Sequence, residues 1–296
     1  MVQFREGENN VNDNIKAVKT GGFLGFFQDF ESWHIKGLSG NDSLTGATKR
    51  DTLDGGSGVD TLRGGKSDDR YHVDNFNDVI IEKSGEGEDL VMSTASRYVL
   101  PNHVENIDID EPNIFRAEAF GNALDNDMFG TDSTQEDFLA GAEGNDRLFG
   151  FNNRDTLDGG SGNDTLDGGN GNDSLSGFRG SDSLIGGNGD DTLLGGTTAS
   201  STENEFDTLE GGSGRDLFVL GTGSSSFHDD RGGNDYAIIT DFRIDSDKLQ
   251  LGGRRSDYEV QGNTLHFKND VIAVFTGHSE VSITAALDNQ NITKFG

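Results

Sequence analysis

Single apolar residues recur every nine positions along much of this chain, each flanked by polar residues. The first run of such residues is Leu44, Leu53, Leu62 and Tyr71. The second run is Leu139, Leu148, Leu157, Leu166, Leu175, Leu184 and Leu193. After an insertion around TTASSTENEF, the pattern resumes at Leu209 and Phe218. A lone apolar residue between polar neighbours predicts a three-residue strand that points one side chain into a core.

An aspartate stands two places before each of these apolar residues. The first run has Asp42, Asp51, Asp60 and Asp69. The second has Asp137, Asp146, Asp155, Asp164, Asp173, Asp182 and Asp191, and Asp207 and Asp216 follow the insertion. The best-formed units read GGSGNDTLD and GGNGNDSLS. Because glycine takes positive φ readily, the start of each unit predicts a tight turn that can bring carbonyl oxygens close to an ion.

Two units of nine residues make one coil of two short strands and two turns, and coils stack through parallel strand pairing. Alternate turns then lie on the same edge, which places Asp155, Asp173 and Asp191 together. Carboxylates one strand spacing apart, about 4.8 Å, repel by roughly 1 kcal/mol per pair even in water. A divalent cation between them would turn this repulsion into attraction. A single such loop would be interpreted as an ordinary turn, but thirteen copies in register favour ion binding.

Composition supports a cation-binding role and excludes others. The 296 residues include 53 acidic and 23 basic side chains, a net charge of −30, which argues against nucleic acid as a partner. With no Cys, the chain has neither disulfides nor thiolate metal sites, and hard divalent cations with oxygen ligands remain. The N-terminal residues are not expected to act as a signal peptide, and because no apolar run of about 18 residues occurs, no transmembrane segment is predicted.

On these residues the chain resembles the RTX (repeats-in-toxin) family of secreted bacterial proteins, whose hemolysin-type calcium-binding repeat is GGxGxDxUx with U apolar. The predicted fold is all-β, a parallel β-roll or β-helix-like solenoid. It has two calcium-binding repeat blocks joined by a β-rich segment, and a β-rich C-terminal cap. The resemblance implies several Ca²⁺ ions as the cofactor.

The resemblance also implies a ligand set for each ion. One turn provides the backbone carbonyl oxygens of its first and third loop residues and the carboxylate of its Asp. The next turn on the same edge provides the carbonyl oxygens of its second and fourth loop residues and the carboxylate of its Asp. One implied site is Gly150, Asn152 and Asp155 with Gly169, Gly171 and Asp173, and another is Gly168, Asn170 and Asp173 with Gly187, Gly189 and Asp191. The implied site of the first roll is Gly37, Ser39 and Asp42 with Gly56, Gly58 and Asp60. Further candidate ligands are Asp51, Asp69, Asp137, Gly141, Glu143, Asp146, Gly160, Gly162, Asp164, Gly180, Asp182, Asp207 and Asp216.

Three loops depart from the repeat. Lys49 and Arg50 interrupt the loop GATKRD, and Phe151 and Asn153 interrupt GFNNRD, so both turns are expected to hold calcium poorly. Phe178 and Arg179 weaken the predicted pairing of Asp164 with Asp182, although Gly180 keeps the fourth position.

The pattern predicts five segments. Residues 1–36 form a leader whose aromatic residues cap the first coil or offer a patch to a partner. These residues are Phe23, Phe26, Phe27, Phe30 and Trp33. Residues 37–72 form the first roll, 73–125 an intervening β segment, 126–220 the second roll and 221–296 a C-terminal β cap. For this last segment the resemblance implies a type I secretion signal, which would explain export without an N-terminal signal.

No catalytic motif is found: HExxH, GxSxG and the P-loop are absent, and the six His residues are scattered singly. With repeats beginning near residue 37, the chain is predicted not to be an enzyme. The favoured function is a secreted calcium-binding protein of a cell surface or matrix, with a type I secretion apparatus and cell-surface polysaccharide as further partners. The alternatives are an accessory module of a polysaccharide-modifying or hydrolytic enzyme, and an adhesion or ice-binding protein. A partial Thr ladder is the only support for the last alternative.

Overall fold

The computed structural model describes residues 3–6, 14–16, 32–110, 116–132, 136–196, 205–222, 225–226, 235–268, 270–277, 283–284, 287 and 292–293. The chain divides into two compact units, residues 1–131 and 132–296. Among the described residues, no helix is long and apolar enough to cross a membrane.

In the first unit, consecutive strands alternate between rows, and strands pair in parallel with the strand two places before them, except that Arg97–Val99 begins a new row. This alternation is the coil that the period of nine predicts. One row contains Gln3–Glu6, Trp33–Lys36, Thr52–Asp54, Arg70–Val73, Leu90–Ser93, Asn106–Ile109 and Asp127–Phe129. The other strands are Asn14–Lys16, Ser43–Thr45, Thr61–Arg63 and Val79–Ile80, followed by the pair Arg97–Val99 and Arg116–Phe120.

The second unit repeats this arrangement with longer strands. One row contains Arg147–Phe149, Thr165–Asn170, Ser183–Asn188, Phe206–Ser213 and Tyr236–Ile239. The other contains Glu136–Glu143, Thr156–Ser161, Ser174–Arg179, Thr192–Gly196, Leu217–Val219, Lys248–Gln250 and Ile292–Thr293. The predicted all-β parallel β-roll is thereby confirmed.

The core is a ladder of single apolar side chains, one from each nonapeptide. Leu157 pairs with Leu175, which pairs with Leu193, and all three are fully buried. On the facing row, Leu166, Leu184 and Leu209 are stacked in the same way. The residues on either side of these Leu side chains are partly buried or exposed. One buried side chain per nine residues makes a thin core. The stability of the roll therefore depends strongly on the interactions in its turns.

The parallel stacking of strands continues across an insertion and through a segment without repeats. Asp182 and Asp207 are 25 residues apart, yet they occupy equivalent positions on successive coils, since Leu184 still pairs with Leu209. In the intervening segment, the Asn122 side-chain amide donates hydrogen bonds to the backbone oxygens of Pro101 and Val104, at 2.8 and 2.7 Å. Here a side chain of the protein bridges backbone carbonyls.

The parallel stack ends in antiparallel strands. Tyr236–Ile239 pairs in parallel with Asp270–Phe275, which continues antiparallel to Thr264–Phe267 and then to Tyr258–Gln261. A short 3-10 helix, Arg255–Asp257, precedes the last of these strands, and Gly221–Thr222 pairs antiparallel with Ser225–Ser226. At the other end of the chain, Trp33 is buried, while Phe23, Phe26, Phe27 and Phe30 lie outside the described residues.

Candidate metal sites

The second and fourth residues of the described loops have positive φ, except at Ala47, Lys49 and Gly87. Gly187 has φ of 104° and Gly189 of 136°. A Cβ at Gly187 would clash with the carbonyl oxygen of Gly169, and one at Gly189 with that of Gly171. Equivalent loop residues are therefore stacked so closely that their carbonyl oxygens form columns along the edge of the roll. This close approach explains why the repeat favours glycine at these positions.

The aspartates form matching columns, linked from coil to coil. The backbone amide of Asp155 donates to Oδ1 of Asp173, and the amide of Asp173 donates to Oδ1 of Asp191, both at 2.8 Å. The same bond joins Asp42 to Asp60, Asp51 to Asp69, Asp60 to Asp78, Asp137 to Asp155, Asp146 to Asp164, Asp164 to Asp182, Asp182 to Asp207 and Asp191 to Asp216. The sequence-predicted pairs thus lie together on the predicted edges.

The second carboxylate oxygen is what points to a cation. Oδ2 is buried and has no hydrogen-bond partner in Asp60, Asp69, Asp155, Asp173, Asp182 and Asp191. A methyl group placed on Gly168 would lie 2.6 Å from Oδ2 of Asp173 and 2.8 Å from the carbonyl oxygen of Gly186 on the next coil. Carboxylate and carbonyl oxygens thus approach the same point. Because an unpaired buried carboxylate is costly, and calcium accepts six to eight oxygen ligands, these residues fit calcium.

Each site needs backbone oxygens as well as side chains. Among the described residues, no group of three or more His, Asp or Glu side chains is arranged to hold a metal. A column supplies two carboxylates per step, so the remaining ligands must be carbonyl oxygens such as those of Gly169 and Gly171. This is the division of ligands that the repeat implies.

Burial in the columns opposes ionisation. It raises the pKa of Asp155 to about 8 and that of Asp173 to about 7, although the backbone amide bonds act in the opposite direction. It likewise raises the pKa of Asp182 to about 8 and that of Asp191 to about 6, and neighbouring carboxylates add to each rise. Without a cation, the folded columns therefore favour protonated carboxyl groups.

Acid is expected to increase the β content of the calcium-free chain. Because the pKa values are raised, the folded chain binds protons more tightly than the unfolded chain, whose Asp residues titrate near 3.9. This stabilisation is complete below about pH 4 and is lost as pH rises through about 6 to 8. Circular dichroism in calcium-free buffer should show more β structure at about pH 5 than at about pH 8.5. With calcium, the sign should reverse, since protons compete for the ligands and acid should raise the calcium midpoint. A calcium-free spectrum that does not change with pH would contradict this prediction.

The three interrupted loops differ from one another. In the loop that contains Lys49, neither Ala47 nor Lys49 has positive φ, and the Ala47 amide donates to Oδ2 of Asp51 at 2.6 Å. The second oxygen of Asp51 is thereby satisfied within its own loop. Phe151 and Phe178 instead adopt positive φ, 71° and 74°, in place of glycine. Their loops retain the repeat geometry, at some cost in backbone strain.

One loop was missed by the period of nine. Residues 84–92, SGEGEDLVM, match the repeat except for Ser84. The amide of Asp69 donates to Oδ1 of Asp89 at 2.8 Å, and a Cβ on Gly87 would lie 2.5 Å from the carbonyl oxygen of Ser67. Asp89 stands 20 residues after Asp69, two more than a regular coil, so a strict spacing overlooks it. A search for the motif itself would have found it.

Two predicted positions, Asp137 and Asp207, adjoin undescribed residues, and a third, Asp60, is followed in its column by an aspartate that was not predicted. The loop before Asp137 includes residues 133–135, and that before Asp207 includes 197–204, all outside the described residues. Asp78, which follows Asp60 in its column, accepts bonds at Oδ2 from the amides of Asp74 and Asn75. The Asp78 carboxylate is therefore held by its own turn.

A family model for the RTX calcium-binding nonapeptide repeat matches the chain in four copies, at residues 45–80, 133–166, 167–197 and 202–226. Together the matches cover less than half of the chain. Asp42 and Asp89 lie outside them, although the structure places both in the columns. No curated protein matches the chain.

Proposed function

We propose that this chain, in which four copies of the RTX calcium-binding nonapeptide repeat are matched, is a secreted protein that folds on binding calcium outside the cell. The observation that carries this proposal is the row of buried carboxylate oxygens without hydrogen-bond partners, exemplified by Asp155, Asp173 and Asp191. Bound calcium would supply the positive charge that these columns lack.

Residues of the chain position the oxygen atoms that would bind calcium. Asp Oδ1 atoms accept hydrogen bonds from backbone amides of the preceding coil, and these bonds fix the spacing of adjacent loops. Positive φ at glycines such as Gly187 directs carbonyl oxygens along the edge. The Leu side chains of the ladder and the repeat aspartates are both buried. Ligand geometry and strand pairing therefore form together, so that the free energy of ion binding also stabilises the fold.

The proposed location is extracellular, at a cell surface or in a matrix. Calcium sites of extracellular modules have Kd values on the order of 10⁻⁴ to 10⁻³ M, and we expect the loops of this chain to bind in that range. Export in an unfolded, calcium-free form through a type I secretion apparatus is part of the proposal, as is contact with surface polysaccharide. The proposed role is non-catalytic, consistent with the lack of hydrolase motifs in the sequence.

Equilibrium dialysis with calcium-45 tests the binding part of this proposal. We expect several ions per chain, with half-saturation on the order of 10⁻⁴ to 10⁻³ M. Magnesium is the matched control, because it requires shorter bonds and octahedral geometry and gives up its water reluctantly. Fewer than two calcium ions per chain at millimolar calcium, or equal competition by magnesium, would reject it. For the location, recovery of the chain only from the cytoplasmic fraction of its own cells would reject export.

A further inference from the structure

The column of Asp191 and Asp216 continues beyond the last nonapeptide. The amide of Asp216 donates to Oδ1 of Asp247 at 3.2 Å, as the amide of Asp191 does to Asp216 at 3.1 Å. Lys248 donates its amide to the carbonyl oxygen of Asp216, just as Leu217 donates to that of Asp191. Asp247 therefore occupies the position of a repeat aspartate, although its surroundings, FRIDSDKLQ, contain no repeat.

At this last step a side chain of the protein supplies the positive charge. Nη2 of Arg243 lies 2.8 Å from Oδ2 of Asp216 and 3.2 Å from Oδ1 of Asp247. The same nitrogen lies 2.9 Å from the carbonyl oxygen of Gly214. Gly214 is the fourth residue of its loop, the position of the predicted ligands Gly171 and Gly189. One cationic group thus contacts the aspartates of two successive coils and a fourth-position carbonyl.

The contrast with earlier steps of the column is sharp. Oδ2 of Asp155, Asp173 and Asp191 has no hydrogen-bond partner, whereas Oδ2 of Asp216 is bonded to Arg243. Both carboxylates around Arg243 are buried, with side-chain exposures of 0% for Asp216 and 1% for Asp247. The Arg243 side chain itself is 41% exposed, so it reaches the two buried carboxylates from the surface of the roll.

We propose that Arg243 is a built-in cation that takes the place of calcium between Asp216 and Asp247, so that the column ends in a step closed by the protein itself. The inference rests on the proposed function, since it presumes that the earlier steps take calcium. In this proposal, Arg243 limits the number of calcium ions that the column binds. It also explains how Asp247 can continue the column without the carbonyl-rich loop of a nonapeptide.

Replacing Arg243 with Gln tests this assignment. The variant should bind one more calcium ion per chain than the wild type at saturating calcium, measured by equilibrium dialysis on protein whose circular dichroism matches the wild type. Arg215→Gln is the matched control. Arg215 pairs with Asp190 in the adjacent loop, and both side chains are well exposed, at 73% and 38%. This control removes the same charge outside the column and should keep the wild-type number of ions.

An unchanged or smaller number of ions in Arg243→Gln would overturn the proposal. If that variant does not fold at any calcium concentration, Arg243→Lys decides. A lysine keeps the positive charge, so it should restore folding with the wild-type number of ions, and its failure to fold would equally reject the assignment. The number of ions bound by the wild type tests the proposed function separately. If the wild-type protein binds no calcium, the proposed function is rejected.

Discussion

Removing calcium is expected to abolish most of the β structure of this protein, and calcium at millimolar concentration is expected to restore it cooperatively. The chain has a net charge of −30, and its columns place carboxylates such as Asp155 and Asp173 on adjacent coils. Like charges about 4 Å apart repel by about 1 kcal/mol in water and about 4 kcal/mol near a protein surface. One buried Leu per nonapeptide contributes about 1.5–3 kcal/mol, and ordering each residue costs roughly 1–2 kcal/mol of backbone entropy. The Leu ladder alone cannot offset both terms.

Far-ultraviolet circular dichroism during a calcium titration measures this transition. The calcium-free chain should give a spectrum of largely disordered polypeptide, and the rise in β signal should be steeper than a single-site curve because adjacent steps share an aspartate. Titration with NaCl at matched ionic strength separates screening from specific binding, since screening acts between exposed charges over a Debye length. A full β spectrum in chelator, or recovery with NaCl alone, would contradict calcium-driven folding.

The period of nine was enough to predict the coil and its edges. Leu157 and Leu175 pair as the spacing requires, and Asp155 bonds to Asp173 on the predicted edge. The prediction succeeds because the strand register of a parallel coil follows the period of the sequence. The position of a side chain in the repeat therefore gives its position in the column. The insertion before Asp207 does not disturb this logic, since the strand pairing resumes in register.

Other features depend on contacts that a repeat does not encode. Asp89 was missed because two extra residues shift it out of period. Asp247 reaches its column through the path of the chain after the repeats, and only the folded structure shows Arg243 beside it. Loop shape was also predicted too simply: Phe151 takes positive φ in place of glycine, whereas Ala47 does not. A Cβ at the second loop position faces a carbonyl oxygen of the preceding coil, as at Gly169 and Gly187, and a single nonapeptide does not specify that neighbour.

Replacing Asp173 with Ala is expected to raise the calcium midpoint of folding more than replacing Asp42 with Ala. Asp173 takes part in two described steps of its column, with Asp155 on one side and Asp191 on the other. For Asp42, the described residues provide the step to Asp60. Loss of the hydrogen bond from the Asp155 amide to a charged acceptor should itself remove about 1–3 kcal/mol from the folded state. Removal of a shared ligand should also reduce the steepness of the titration.

Two further variants separate ion binding from packing. Asp173→Asn retains an oxygen that can accept the Asp155 amide but removes the charge, so a midpoint close to that of Asp173→Ala would show that the charge matters most. Asp190→Ala alters the exposed carboxylate that pairs with Arg215 in the neighbouring loop and should leave the midpoint near the wild-type value. Equal shifts for Asp173→Ala and Asp42→Ala would contradict the shared-ligand geometry. An Asp190→Ala shift as large as that of Asp173→Ala would show that total negative charge, and not the column, controls calcium binding.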